Sequence, residues 1–264
     1  MMLYKTLAGI ILGNSLAGSI SSIFNANRLL IVYYHRVLPK EKTKDLALDN
    51  NFIDTKALEK QLKFFSQKYH CVTDIDIAQS IKNGKQLGPR SICITFDDGY
   101  VDNYKYAFPL LEKYGLKAVF YITTSRIRLN EVNKEFMSIA ELKELISHGH
   151  SVGAHTVSHQ ILSRLTPDEI EREITDSKQE LENKLDVPIV SFAYPHGKRE
   201  DIPLAICEPI FKKLKFSMAV TTLGGFVPRF NNFNSFRMNR IGFSTVEPFS
   251  FFLAKVYWGA FWQR

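Results

Sequence analysis

Cysteine is scarce in this chain: Cys71, Cys93 and Cys207 are the only three in 264 residues. Three scattered thiols form neither a disulfide framework nor a CxxC zinc site, so they read as buried apolar side chains. No glycine-rich GxGxxG loop follows any predicted strand, which disfavours a dinucleotide-binding fold. Internal repeats and low-complexity tracts are lacking as well. Basic residues outnumber acidic ones, 34 to 27, for a formal charge of +7. They are scattered rather than gathered into a basic arm, so no nucleic-acid partner is expected. Such a charge favours anionic polymers or lipid headgroups through long-range attraction.

What remains is an ordinary globular composition, 45% hydrophobic and 23% charged. Charge is locally absent from Thr6 to Asn27, with Lys5 just before. Gly9, Gly13, Asn14 and Gly18 interrupt this stretch, and it falls short of the roughly 20 predominantly apolar residues of a membrane span. Residues 1–28 are therefore read as an N-terminal apolar segment, with an amphipathic helix, an uncleaved anchor and a cleaved signal as the alternatives. At the other end, Phe249, Phe252, Leu253, Val256, Tyr257 and Phe261 recur near helical spacing, with Trp258 and Trp262 beside them. Residues 244–264 are read as an aromatic-rich helix that closes a core or lies on a membrane surface. These termini point to peripheral membrane association and a cell-envelope location as the favoured alternative to a cytoplasmic one. The sequence specifies no oligomeric state.

Between the termini, strands alternate with helices. Leu29 to Tyr34 is a continuous apolar run that reads as a buried strand ending at His35. A helix from Thr55 to Ser66, capped by Thr55, and one from Ile75 to Ile81 follow. Next come strand Ser91 to Phe96, helix Tyr104 to Tyr114, strand Lys117 to Thr123, helix Ser138 to Ser147 and strand Ser151 to Ala154. A long charged helix, Pro167 to Leu185 capped by Thr166, leads to strand Ile189 to Ala193, helix Pro203 to Leu214 and strand Ser217 to Thr222. This order predicts parallel βαβ units with right-handed crossovers. Asp97, Asp98, His155 and His196 all fall just past strand ends, where a (β/α) barrel assembles its active site. The expected fold is α/β: a distorted (β/α)7 TIM-like barrel in a single domain over residues 29–243.

Adjacent carboxylates at Asp97 and Asp98 repel one another and imply a counter-charge. Two histidines plus one carboxylate make a common three-ligand site for a divalent metal, and His155-Thr156-Val157-Ser158-His159 supplies the histidines. On a helix or helical turn, positions four apart lie on one face, so both imidazoles would reach one ion. One aspartate then binds the metal and the other stays free as a base, with Gly99 permitting the positive φ of the turn after the strand. Zinc is the default ion; nickel, cobalt or iron suit the same ligands.

Three ordered motifs, Thr95-Phe96-Asp97-Asp98-Gly99, His155-Thr156-Val157-Ser158-His159 and Phe192-Ala193-Tyr194-Pro195-His196-Gly197, resemble the polysaccharide deacetylases, the family with the NodB homology domain (carbohydrate esterase family 4). The resemblance implies that Asp97 is the general base and that Asp98, His155 and His159 hold the metal. It implies further that the His196 N–H faces the oxyanion, and that the reaction removes acetyl groups from an N-acetylated glycan of the envelope or an exopolysaccharide.

Two departures from the family pattern matter. The usual acid is a histidine late in the domain, but none follows His196. Tyr33-Tyr34-His35-Arg36-Val37 instead resembles the circularly permuted poly-N-acetylglucosamine deacetylase branch, which implies His35 as acid, since first and last strands of a closed barrel are neighbours. Where many members carry an arginine before the motif's proline, this chain has Ala193, and Arg240 is the candidate replacement that orients Asp97. Tyr100 and Tyr194 either line a sugar groove or pack in the core. His70, His148 and His150 read as surface, loop or helix-end groups. Alternative functions are a deformylase or deacetylase of a lipid-linked sugar, a non-haem iron oxygenase using the same ligand triad, and a non-catalytic glycan-binding protein of the same fold.

Overall fold

The computed structural model describes residues 25, 27–42, 51–127, 134–227, 233–244 and 247–259. Strand β1 (Leu30–Tyr34) opens the main sheet, while β2 (Arg36–Leu38) and β3 (Phe52–Asp54) pair separately. Helix α1 (Thr55–Lys68) is capped by Asp54 rather than Thr55: the carboxylate accepts the N–H groups of Lys56 and Ala57, two donors orphaned at a helix start. Then come β4 (His70–Cys71), α2 (Asp74–Asn83) and β5 (Ser91–Phe96). The single helix expected from Tyr104 to Tyr114 is instead a π-type turn over Asn103–Ala107 running into α3 (Phe108–Lys113). Pro109 is the second residue of α3, directly after the π-type turn, and has no N–H to donate back into it.

Downstream, sequence and structure agree closely. β6 (Ala118–Ile122), α4 (Ile139–Ser147), β7 (Ser151–Ala154) and α5 (Pro167–Leu185) lie where periodicity placed them. Capping boxes, Ser138 with Glu141 and Thr166 with Glu169, fix the starts of α4 and α5. β8 (Ser191–Ala193), α6 (Leu204–Lys213), β9 (Met218–Val220), β10 (Ile241–Gly242) and α7 (Phe249–Trp258) complete the order.

The main sheet runs β10-β1-β5-β6-β7-β8-β9, with β4 attached to β5, and its paired strands are parallel. The segment preceding β10 closes the remaining gap: Met238 exchanges backbone bonds with Ala219 and Thr221 beside β9, and Ile241 pairs with Val32 of β1. The sheet thus curls into the distorted barrel of a single domain, and its first strand neighbours its last.

Because successive strand residues face opposite ways, each strand feeds two cores. Val32, Ile94, Phe96 and Phe120 join the larger cluster under the helices, whereas Ile31, Cys93, Val119 and Tyr121 join the cluster that fills the barrel. At the bottom of the barrel, Asp74 is fully buried and accepts hydroxyl hydrogen bonds from Ser151 and Ser191. Burial raises its pKa despite those bonds. Gly153 makes room in the middle layer, since a Cβ there would overlap the Tyr121 ring and come within 2.6 Å of Ser191 Oγ.

Helix α7 closes the outer core, with the Phe252 ring 5.4 Å from Phe65 and 4.9 Å from Phe243, centroid to centroid. Phe261 and Trp262 lie outside the described residues, as does nearly all of the N-terminal apolar segment. Among the described residues no helix is long and apolar enough to cross a membrane.

Candidate active site

The strand parity that buries Cys93 carries Thr95 and Asp97 toward the barrel axis, and Asp97 N–H still bonds Tyr34 O of β1 at 2.9 Å. There the strand ends. Asp98 at φ 76° and Gly99 at φ 80° both adopt left-handed backbone, which breaks the alternation and turns the second carboxylate away from the first. The glycine tolerates this freely, whereas Asp98 is held in a conformation that costs a non-glycine residue about 1–2 kcal/mol. The counter-charge demanded by the pair is divided between two places.

Asp97 faces Arg240. The guanidinium donates Nη1 to Asp97 Oδ1 and Nη2 to Oδ2, both at 2.7 Å, and also reaches Thr95 Oγ1 at 3.0 Å and Thr221 O at 2.9 Å. Arg240 is 0% and Asp97 2% exposed, so this is a fully desolvated, bidentate ion pair. Burial pushes the Asp97 pKa upward, but the charge and hydrogen bonds of Arg240, helped by His155, outweigh it and hold the carboxyl below its ordinary range. The residue chosen to replace the missing arginine before Pro195 therefore sits against the expected base. It arrives from β10's approach, and Ala193 leaves its place in the barrel open.

Asp98 faces the histidines. His159 Nε2 lies 3.0 Å from Asp98 Oδ1 and His155 Nε2 lies 3.7 Å from the same oxygen. One ligand atom from each of Asp98, His155 and His159 falls within 4.8 Å of the others. Burial acts to raise the Asp98 pKa, yet the His159 hydrogen bond and the nearby His155 and His35 hold it far below the usual carboxylate range. His155 is lowered to about 4, chiefly by desolvation, so its approach to Asp98 is that of a neutral imidazole rather than an ion pair. His155 Nδ1–H donates to Ala193 O at 2.7 Å, which leaves the Nε2 lone pair toward Asp98. An ionised carboxylate and an imidazole with its lone pair so directed are the ligand forms a divalent cation of the zinc type takes, and the donor set fits such an ion.

The histidine pair does not stand on a helical turn. Residues 155–159 form an irregular loop after β7, bent by left-handed backbone at Thr156 (φ 64°) and His159 (φ 61°). Thr156 Oγ1 accepts the His159 N–H at 2.9 Å and stabilises that bend locally. The rings still converge, with centroids 4.8 Å apart, because the bend does what a helical repeat was expected to do.

His35 follows β1 and is half-buried, close enough for its charge to act on both Asp97 and Asp98. Asn103 Nδ2 donates to His35 O at 2.7 Å, and Arg36 is tied to Asp102 at 2.9 Å, so the loop after β1 is anchored from both sides of the histidine. His196 is exposed and left-handed (φ 59°), its ring centroid 5.5 Å from that of His159. Among the described residues no acceptor takes its backbone N–H.

The two tyrosines separate. Tyr100 stays at the rim, stacked on Phe136 at 5.0 Å, with the Arg36 guanidinium carbon 4.8 Å from its ring centroid. Tyr194 does not line a groove: it is 1% exposed, packs against Phe192 and Phe211, and donates its hydroxyl to Phe236 O at 3.0 Å. Its motif neighbour Ala193 takes the inward position, so parity sends Tyr194 into the outer core. His148 and His150 meet Glu112 away from the site.

Residues absent from the sequence-based set also enter. Arg126, after β6, places Nη1 3.1 Å from Asp98 Oδ1 and its guanidinium carbon 5.4 Å from the Phe136 ring centroid. Tyr33 lies under Arg240, 4.8 Å from ring centroid to guanidinium carbon. Each stands at or just past the C-terminal end of a barrel strand, a placement that would have flagged them.

Comparison with known proteins agrees with this geometry. Residues 84–208 match the polysaccharide deacetylase family model. Over 203 residues the chain is 29% identical to "Putative polysaccharide deacetylase YxkH" of Bacillus subtilis, covering 76% of this chain and 67% of that protein. Over 220 residues it is 27% identical to the poly-beta-1,6-N-acetyl-D-glucosamine N-deacetylase of Staphylococcus aureus, covering 74% and 73%. The solved structure of the Streptococcus pyogenes deacetylase PplD in complex with acetate superposes with a TM-score of 0.72 at 25% identity, covering 83% of this chain and 95% of that one. The matched segment holds both aspartates and the His155–His159 loop, and the chain is similar in sequence and fold to the polysaccharide deacetylase family of hydrolases.

Proposed function

We propose that this chain is a metal-dependent hydrolase that removes N-acetyl groups from an N-acetylhexosamine-containing glycan. Asp98, His155 and His159 hold the ion, with zinc the best match to one carboxylate and two imidazoles. The observation that carries the reading is Asp97, ionised and gripped by Arg240 at 2.7 Å, beside a separate Asp-His-His cluster. A base and a metal site thus stand next to each other without sharing a carboxylate.

A bound divalent metal supplies Lewis acidity, lowering the pKa of water there to about 7. Asp97 accepts a proton from the attacking water through a lone pair that Arg240 leaves uncovered. The guanidinium fixes the carboxylate's orientation and keeps it charged. Water oxygen bonds to the acetyl carbon, and the His196 N–H donates to the oxygen that gains charge. His35 delivers a proton to the sugar nitrogen as the carbon–nitrogen bond breaks, so acetate and a free amine leave.

The similarity to a poly-beta-1,6-N-acetyl-D-glucosamine N-deacetylase makes that class of polymer the first substrate to try. Metal analysis of the purified protein, coupled to acetate release from β-1,6-linked N-acetylglucosamine oligomers, tests the proposal. About one divalent ion per chain and metal-dependent acetate release are expected; an absence of both would overturn it. Formate release from a formylated lipid-linked sugar would move the activity to the alternative substrate. A membrane-proximal location is proposed from the uncharged N-terminal stretch and the basic net charge, and fractionation into a wholly soluble pool would reject it.

A further inference from the structure

The loop that carries the two histidines supports itself at its bend, where Thr156 Oγ1 accepts the His159 N–H, and leans on its neighbours elsewhere. Thr156 and His159 hold left-handed backbone that non-glycine residues disfavour, and no helical hydrogen bonds stabilise residues 155–159. Its carbonyls are tied down by the loop after β6, where Thr124 N–H reaches Thr156 O at 3.2 Å and Ser125 N–H reaches Val157 O at 3.0 Å. The N–H groups of Val157 and Ser158 point the other way, toward α5, while those of His155 and His159 bond Ile122 O and Thr156 Oγ1.

We infer that Glu173, on the second turn of α5, is a positioning residue for the metal ligands, and this rests on the reading that His155 and His159 bind the ion. Glu173 Oε2 accepts Val157 N–H at 2.8 Å and Ser158 N–H at 2.9 Å, while Oε1 accepts the Ser158 hydroxyl at 2.6 Å. One carboxylate therefore gathers three donors from the stretch between the two ligands. Together with the Thr124 and Ser125 bonds it clamps the loop from both faces, so the spacing of the imidazoles is set by α5 and β6 rather than by the loop itself. Glu173 touches neither ligand ring. It acts through the backbone that joins them.

The role can be tested by metal affinity, read by chelator competition with zinc, and by the visible spectrum of the cobalt-substituted protein. Glu173→Ala removes both acceptor oxygens and the three hydrogen bonds they take, and is expected to weaken zinc binding about 10–100-fold, the usual cost of losing an outer-shell support, and to alter the cobalt bands. Glu173→Gln retains an amide oxygen for both N–H groups and turns its NH2 toward the Ser158 oxygen, so it is expected to restore affinity to within a few-fold of wild type. Glu173→Asp, one methylene shorter, should fall between the two. Far-UV circular dichroism on each variant keeps a misfolded protein from being counted. Wild-type affinity and an unchanged cobalt spectrum in a folded Glu173→Ala or Glu173→Asp protein would overturn the inference. Failure of the wild type itself to bind zinc or cobalt would instead overturn the metal-site reading beneath it.

Discussion

Replacing Arg240 with methionine removes the charge from the barrel but keeps much of the side-chain volume. The wild-type pair is buried on both sides and linked by two bonds of 2.7 Å. Deleting one partner of such a pair strands the other in low dielectric, at a cost of about 3–5 kcal/mol. With a urea m-value of about 3 kcal/mol/M, that loss lowers the unfolding midpoint by roughly 1–1.7 M. The pH dependence gives a sharper readout. In the wild type Asp97 titrates below its unfolded value of about 3.9; its contribution is therefore complete above that pH and is lost as pH falls through the folded pKa. Without Arg240, burial, the largest influence on Asp97, is opposed only by the smaller effects of His155 and His35. The Asp97 pKa then rises above its unfolded value, and the variant's deficit, full at neutral pH, shrinks on acidification through the raised pKa. Urea titrations of both proteins between pH 7 and pH 4 measure this, and the double variant Asp97→Leu/Arg240→Met should regain much of the loss. A deficit under about 1 kcal/mol that ignores pH, or a double variant no better than the single, would refute the reasoning.

Three further outcomes follow from named contacts. His35→Gln should lower turnover of the amide substrate about 10²–10⁴-fold but spare an aryl acetate, whose leaving group needs no proton; equal losses on both, measured by acetate release, would remove His35 as the acid. Gly153→Ala should destabilise the protein by about 1–3 kcal/mol through overpacking against Tyr121 and Ser191, and an unchanged thermal midpoint would contradict the layer packing. His150 is held down to about 4 against an ordinary 6.5, mainly by burial, so the unfolded state takes the proton first and stability falls as pH drops between those values. His150→Asn keeps an acceptor for the Ala118 N–H and should reduce that slope by about 1.4 kcal/mol per pH unit; identical urea midpoints against pH would reject the assignment.

Sequence made the frame legible where local signals were strong and unopposed. Strand β7 and helix α5 lie where periodicity and the Thr166 capping box placed them, because nothing tertiary competes with those signals. The Asp97-Asp98 pair and His155 were identifiable as charged or metal-ligating groups at the ends of apolar runs, His159 by its spacing from His155, and Arg240 as a replacement for the arginine absent at Ala193. Orientation was less legible. His155 and His159 suggested a helical face, but the loop reaches the same convergence through left-handed residues stabilised by Glu173, a partner 14 residues beyond His159 whose bonds no local pattern announces. Tyr194 was open between groove and core until the parity of β8 assigned the inward place to Ala193. The break at Asn103–Ala107 was hidden because Pro109 is compatible with a helix's first turn as well as with its interruption.

The ion pair between Arg240 and Asp97 also joins parts of the chain 143 residues apart. Arg240 arrives with the segment that bridges β9 and β1, so the barrel's seam and the base's counter-charge are completed in one event. Until that segment docks, Asp97 has no guanidinium beside it and the interior layer around Thr95 is open to water. Any change that undocks this segment would therefore open the seam and strip the base of its counter-charge together, although the Asp98, His155 and His159 cluster stands on other strands.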